Sequence, residues 1–215
     1  MGQPSIAPYP MPDGAKLPRS HVAWTLDPSR AALLVHGMQN RLLAAFPAGV
    51  SPVVQLVENI TALRELSGAL GMPVVFSTEG TGGPADQADG GSGDPGGSSG
   101  SGASVVEPLT PRPGEHLLGN SRPNAFLRSH LGRLLRENGR DQLVVCGIYA
   151  HQGVLLTAAD AAMNGFEPFV VADAVAAFSA EEHTIALRWS ARASVVRTTD
   201  ALLRDLLLHR GRREA

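Results

Sequence analysis

The feature that most constrains this chain is an alternation. Short, continuous apolar runs recur between longer segments whose apolar residues fall at helical spacing. The runs are Ala31-Ala-Leu-Leu-Val-His36, Pro73-Val-Val-Phe-Ser-Thr78, Gln142-Leu-Val-Val-Cys-Gly-Ile148, Pro168-Phe-Val-Val-Ala-Asp173 and Ser194-Val-Val-Arg-Thr198. Runs this short, without polar alternation, read as strands buried on both faces. Between the first two, Ser51–Leu70 carries Val54, Leu56, Val57, Ile60, Leu63, Leu66 and Leu70 at helical spacing, and Gly71 supplies a stop. The same reasoning predicts helices over Phe126–Asn138, Val154–Asn164, Ala180–Ala193 and Thr199–His209. The alternation predicts an α/β fold, three layers α/β/α around a mainly parallel sheet. Ligand sites in such sheets lie at the carboxyl ends of strands, near a switch in strand order. The loops to inspect follow Val35, Ser77 and Ile148.

Two stretches stand outside the alternation. Residues 1–22 hold Pro4, Pro8, Pro10, Pro12 and Pro18 and read as an extended arm. The arm either trails free or packs on the domain or a partner; Ile6 and Tyr9 give it something to bury, which favours packing. Residues 80–104 are dominated by Gly, Ser, Asp and Pro, with nothing apolar larger than Ala. Such a segment cannot bury surface to offset its ordering entropy, so a flexible insert is expected. It leaves from a strand end, where a lid would sit, yet it offers nothing to grip an apolar or ring-shaped ligand. The remainder, 23–215, reads as one domain.

Composition narrows the function classes. With 215 residues and 43% hydrophobic content the chain can bury a sizeable core. A formal net charge of −2 gives no general attraction to nucleic acid or anionic membranes. No apolar run reaches the ~20 residues that span a bilayer, and the proline-rich start is no secretory signal. The single cysteine, Cys146, rules out an internal disulfide and fits a cytoplasmic setting; it sits mid-strand and reads as a buried, inert thiol. The seven His are scattered, so neither a metal site nor a cofactor is expected. No phosphate-binding glycine motif and no nucleophile elbow stands out. The only lysine is Lys16, in the arm.

Three segments carry the chemical information. They are Leu33-Leu-Val-His-Gly37-Met-Gln39-Asn40, Asn120-Ser-Arg122-Pro-Asn-Ala-Phe126, and Cys146-Gly-Ile-Tyr149-Ala-His151-Gln-Gly153-Val154 followed by Thr157-Ala-Ala-Asp160. Together with Pro168–Ala174 and Thr198-Thr199-Asp200 they resemble the isochorismatase, or cysteine-hydrolase-like, family. The resemblance is nearest to the branch that cleaves isochorismate in siderophore and phenazine pathways, and covers nearly the whole chain except 80–104.

The resemblance implies a catalytic acid directly after the first strand's His, where this chain has Gly37. It implies a lysine six residues before Phe126, where this chain has Asn120. Cysteine-using members carry their nucleophile at the position of Gly153, whereas isochorismate-cleaving members carry a non-nucleophilic residue there. A cis peptide is implied between Ala150 and His151. The resemblance also implies a homodimer or larger assembly; with no carrier domain visible after Thr199–Ala215, the free-standing type is expected. Vinyl-ether hydrolysis needs a proton delivered to an alkene carbon, and a positioned acid contributes ~10²–10⁴-fold to such a step. Gly37 has no side chain, Asn120 has no charge, and the insert replaces an aromatic lid, so three elements depart from the pattern.

Other residues remain candidates. Arg122 either binds a carboxylate bidentately or makes a surface salt bridge. Tyr149 and His151 either contact the ligand or serve the structure. Gln39 is a further ligand-contact candidate with a structural alternative, and His36 reads as a strand-end structural residue. Glu79, ending the second strand where the branch tends to have Gln, is the candidate replacement acid; the alternative is a solvated loop carboxylate. Asp160, Asp173 and Asp200 read as helix-start carboxylates. The reading favoured by these residues is an isochorismatase-fold enzyme of specialised metabolism, acting by altered chemistry on a small carboxylated metabolite. The alternatives are an inactive binding or scaffold subunit, and isochorismate hydrolysis itself. If only the two groups are missing, Gly37→Asp with Asn120→Lys restores isochorismate cleavage.

Overall fold

The apolar runs become strands because each must bury both faces. The computed structural model describes residues 6–80, 104–120 and 123–213, with the side chains of residues 120 and 210–213 left aside. The strands are β1 (Ala31–His36), β2 (Val74–Glu79), β3 (His116–Asn120), β4 (Gln142–Ile148), β5 (Glu167–Ala176) and β6 (Val195–Arg197). All pair in parallel, in the order β3-β2-β1-β4-β5-β6. The chain therefore builds outward from β1 to one edge, then returns to the other side of β1 with β4. The switch in strand order lies between β1 and β4, and sheets of this kind bind their ligands at the carboxyl ends beside such a switch.

Helices cover both faces. They are α1 (Asn40–Leu43), α2 (Val53–Ala69), α3 (Leu131–Glu137), α4 (Leu155–Met163), α5 (Ala180–Ser190) and α6 (Thr199–Arg213). Residues Leu33 and Val35 of β1 pack in one core with Leu56, Ile60 and Leu63 of α2 and Leu202 and Leu206 of α6. Their neighbours Ala32 and Leu34 point the other way, into a core with Leu131 and Leu135 of α3, Ala158 of α4 and Leu187 of α5. The two-residue period of β1 thus divides the molecule into three layers.

Two expectations change. The segment Phe126–Asn138 is helical only from Leu131 to Glu137. Asn124 accepts the Phe126 N–H, Ser129 bonds the Ala125 carbonyl and the Leu131 N–H, and Arg128 is left-handed with φ 54°. Local side-chain bonds hold the backbone in turns where helix was expected. A sixth strand, β3, also joins the sheet. It escapes the apolar-run argument because it is an edge strand, with Leu118 buried and Leu117 exposed. Its approach is held by Arg64 of α2, which is buried and donates to both Glu115 carboxylate oxygens at 2.7 and 2.6 Å and to the Thr110 carbonyl at 2.7 Å. Burial works against ionisation of Glu115, but the Arg64 guanidinium, the Arg112 N–H and the Arg112 charge together outweigh it and hold the carboxyl below its ordinary range.

The arm packs on the domain from Ile6 onward. Ile6 and Tyr9 are buried, the Ile6 N–H donates to Ala45 at 2.8 Å, and the Tyr9 hydroxyl bridges the carbonyl and N–H of Ala177 at 3.1 and 2.8 Å. Burial first of all raises the Tyr9 phenol to about 12. The arm and α5 enclose a cavity of about 690 Å³, and Lys16 lines it together with Asp13, Leu17, His183 and Arg188. No helix among the described residues is long and apolar enough to cross a membrane.

His183 of α5 is buried beside Tyr9 at 5.8 Å between ring centroids, and its Nε2–H donates to the Ala172 carbonyl of β5 at 2.9 Å. Burial lowers its pKa from 6.5 to about 4, only partly offset by that bond. Between those values the unfolded chain binds a proton that the folded chain refuses, so stability rises with pH across this window and falls as the medium is acidified. Urea midpoints are expected to show a loss of about 2 kcal/mol between pH 7 and pH 5 from this residue. A His183→Gln chain is expected to show a flatter profile over the same interval.

Candidate functional site

The site is built at the carboxyl ends of β1, β2 and β4. His36 ends β1 and is buried. Its Nδ1 lies 2.5 Å from the Ser77 hydroxyl of β2, and its Nε2, without a hydrogen-bond partner among the described residues, lies 3.8 Å from Glu79 Oε1. Glu79 ends β2 with its side chain 20% exposed. Its other oxygen, Oε2, lies 3.9 Å from the Arg41 guanidinium of α1. Arg41 also donates to the Glu79 carbonyl at 2.8 Å, so its charge is held in place by the backbone that it serves.

Gln39 is fully buried, and its amide grips the Glu79 backbone from both sides. Its Nε2 donates to the Glu79 carbonyl at 3.0 Å and its Oε1 accepts the Glu79 N–H at 2.7 Å. Of its two readings, ligand contact and structural residue, this geometry fits the structural one: it sets the position of Glu79. Asn40 holds Ser104 through its N–H at 3.0 Å and its side chain at 2.9 Å. Residues 39–41 therefore tie down both Glu79–Gly80 and Ser104, the two roots of the insert. Residues 81–103, where the flexible stretch was expected, lie outside the described residues, as does Arg122.

The three positions that the resemblance singled out, Gly37, Asn120 and Gly153, have definite surroundings. Gly37 adopts φ +66°, and a Cβ there would sit 2.2 Å from the Ile148 carbonyl oxygen. A Cβ on Gly153 would sit 2.0 Å from His36 Nε2. The imidazole of His36 therefore occupies the space into which a side chain at 153 would project. Asn120 is the register partner of Glu79 across β2 and β3, which places its backbone beside the candidate acid.

Tyr149 and His151 follow β4. The Tyr149 hydroxyl donates to the Leu42 carbonyl at 2.8 Å, and its ring lies against Phe178 at 4.5 Å and Phe46 at 6.1 Å. Burial raises its pKa, the charge of Glu79 adding to the effect and Arg41 opposing it. His151 packs edge-on against Phe178 at 4.6 Å, and its Nδ1 lies 4.0 Å from Glu182 of α5. Burial lowers its pKa against the pull of Glu182. The cis peptide falls at Ile148–Tyr149, two residues before the expected bond. After Tyr149 the chain turns at once into a π-helical turn, Ala150–Val154, with the Val154 N–H on the Tyr149 carbonyl at 3.3 Å. Cys146 is buried mid-strand and donates to the Leu34 carbonyl at 3.4 Å; burial pushes its thiol far above the ordinary range, which removes it as a nucleophile.

Two participants stand out only in three dimensions. Arg41 was not a sequence candidate, because nothing in the order Gln39-Asn40-Arg41 says which side chain turns back to β2. His36 was read as structural, and its open Nε2 depends on the absence of a side chain at Gly153, far along the chain.

Fold and site together define a three-layer α/β protein with His36, Glu79 and Arg41 gathered at the switch point of a parallel sheet. The chain belongs to the isochorismatase family, whose Isochorismatase domain matches residues 31–201. It is 42% identical to an isochorismatase of Bacillus subtilis over 96% of this chain and 67% of that protein. It is 40% identical to phenazine biosynthesis protein PhzD of Pseudomonas fluorescens over 94% of this chain and 99% of that protein. Enterobactin synthase component B of Escherichia coli K12 is 36% identical over 94% of this chain and 73% of that protein. Among solved structures, a cysteine hydrolase from Pseudomonas syringae superposes with a TM-score of 0.74 at 21% identity, covering 90% of this chain and 99% of that one, a likeness of fold.

The close approaches at Gly37 and Gly153 have a measurable consequence. Gly37→Asp is expected to destabilise the chain by about 2–4 kcal/mol, because strain at positive φ adds to an overpacked contact. The double variant with Asn120→Lys is expected to release no pyruvate from isochorismate. The checks are urea midpoints and a pyruvate-coupled assay, and recovery of cleavage at wild-type stability would contradict the geometry.

Proposed function

We propose that this chain is an enzyme of the isochorismatase fold that acts on a small carboxylated metabolite, with Glu79 as the proton-transfer group in place of the family's acid and lysine. The single observation that carries the reading is the setting of Glu79. It is a partly exposed carboxylate at the switch point, its backbone gripped by Gln39 and its two oxygens facing His36 and Arg41. Arg41 is a cation well placed to hold a substrate carboxylate or to stabilise the Glu79 carboxylate once its proton has left. Tyr149 and His151 wall the crevice on the β4 side, and Arg122 is a further candidate for the substrate's acid group. The relatives named for phenazine and enterobactin biosynthesis support a place in specialised metabolism.

The ligand is to be found first, by thermal shift of the full chain against carboxylated ring compounds that include isochorismate and chorismate. With the substrate in hand, Glu79→Gln is expected to lower kcat by ~10²–10⁴-fold with little change in stability. Turnover unchanged in Glu79→Gln would remove the acid role. With isochorismate itself, pyruvate release is expected to fall at least ~10²-fold below that of an isochorismatase that keeps its acid.

A second reading, a binding subunit without turnover, is favoured by Gly37, whose backbone leaves no room for a side chain. Saturable ligand binding with no product from the wild-type chain would establish it over the first. We also propose a homodimer. Leu156 and Met163 of α4 and Ile185 and Trp189 of α5 are exposed on packed helices, an apolar surface suited to a second copy. Sedimentation of the full chain is expected at twice the monomer mass, and Trp189→Glu is expected to shift it toward the monomer.

A further inference from the structure

The proline-rich arm is tied down near both ends of α5 and stands off between them. At one end the Tyr9 hydroxyl bridges the carbonyl and N–H of Ala177. At the other the His21 N–H donates to the Ala191 carbonyl at 2.8 Å, and the Ser20 hydroxyl accepts the Val196 N–H at 2.9 Å. Between these anchors Pro10, Pro12 and Pro18 fix their φ angles, and Gly14–Lys16 forms a 3₁₀ turn capped by Asp13, so the backbone resists settling onto the helix. What remains between arm and helix is the cavity of about 690 Å³, a volume typical of small-molecule sites. None of His36, Arg41, Glu79, Tyr149 and His151 lines it, and neither do Ile185 and Trp189.

The lining is chemically divided. Leu17 of the arm and Leu187 of α5 give it apolar walls. Lys16 and Arg188 bring two positive charges from opposite sides, both on exposed residues, and neither is in an ion pair among the described residues. The one carboxylate in the lining, Asp13, accepts the Ala15 N–H as the cap of the turn. His183 adds a further polar group. Its residue is 1% exposed, its Nε2 meets the Ala172 carbonyl, and burial keeps the ring neutral at neutral pH. A carbonyl only accepts, so the proton of the neutral ring sits on Nε2 and Nδ1 is a bare acceptor. Among the described residues no donor meets Nδ1, and a buried acceptor without a partner is destabilising.

We propose that the cavity between the arm and α5 is a binding site for a ring-sized carboxylate that carries a hydroxyl group. Lys16 and Arg188 hold the carboxylate at the open side, Arg188 as a planar fork and Lys16 as a point charge. The ring lies between Leu17 and Leu187, and the hydroxyl donates to Nδ1 of His183. The inference is independent of the reading of Glu79.

Lys16 is the only lysine of the chain, so growth on lysine labelled with ¹³C at Cε gives a single side-chain lysine signal in NMR, a reporter inside the cavity lining. The full chain is titrated at pH 7 with benzoate, the three monohydroxybenzoates, benzyl alcohol and inorganic phosphate. Benzoate is expected to shift the signal saturably, and at least one hydroxybenzoate to do so with a Kd lower by about threefold or more, as one net hydrogen bond gives. Benzyl alcohol and phosphate are expected to give no saturation. Arg188→Gln is expected to raise the benzoate Kd by about fivefold, the worth of one exposed charge contact, whereas Glu79→Gln leaves it unchanged. His183→Phe keeps a ring in place and is expected to remove the advantage of the hydroxybenzoate. No saturable shift with any carboxylate would overturn the site. Tighter saturation by phosphate than by any carboxylate overturns the ligand class, and hydroxybenzoates no tighter than benzoate overturn the role of Nδ1. A benzoate Kd raised by Glu79→Gln and not by Arg188→Gln means that Lys16 senses binding elsewhere, and removes the cavity assignment. If a variant does not fold, the titrations of the wild-type chain decide alone.

Discussion

The ends of β1 and β4 approach so closely that side chains are excluded at the seam between them. At Gly37 the obstacle is the Ile148 carbonyl; at Gly153 it is the His36 ring. Backbone carbonyls in a parallel sheet cannot retreat without breaking the ladder, which here runs from Ala31–Gln142 to His36–Gly147. A buried ring cannot retreat without opening a void. The seam therefore decides which groups can stand at the switch point. It removes the side chains that would project from positions 37 and 153, and it leaves the imidazole of His36 and the carboxylate of Glu79 as the chemically capable groups facing one another.

Everything next to the seam serves to hold Glu79. The segment after β1 turns back, so that Gln39 pairs with the Glu79 backbone as a further strand would, and Arg41 caps the carbonyls of Glu79 and Gly80. Asn40 takes the other root of the insert at Ser104, and Val106 donates to the Met38 carbonyl at 3.0 Å. On the far side, the edge strand β3 is brought into register by the Arg64–Glu115 pair, whose charges compensate one another in a nearly dry setting. α5 closes the crevice from the β4 side: Phe178, just before it, packs on Tyr149 and His151, and Glu182 faces His151. The same helix holds the arm through His183 and Tyr9, so the arm, α5 and the crevice wall form one continuous packing unit.

Much of this was legible in the chain. Continuous apolar runs must be buried on two faces, and in a protein of this size that condition requires a parallel sheet with helices on both sides. The locations of the site loops followed from the carboxyl-end rule, and Glu79 was visible as an acid at the end of the second strand. Less was legible where a local bond overrides periodicity. Asn124, Ser129 and the left-handed Arg128 shorten a helix that the spacing of apolar residues would have begun at Phe126. β3 was hidden because an edge strand needs only one buried residue, Leu118, to join.

By itself the sequence determined the layers, the strand ends on which chemistry can stand, and that positions 37 and 120 carry a glycine and an asparagine, because these depend on residue identity and on periods of two and 3.6 along one chain. Only the tertiary structure decided that Gln39 grips a backbone, that Arg41 brings a charge to Glu79, and that His36 keeps an open nitrogen beside it. Those relations join residues 38 to 117 positions apart, and their cause is the geometry of approach between strands, which no local pattern encodes.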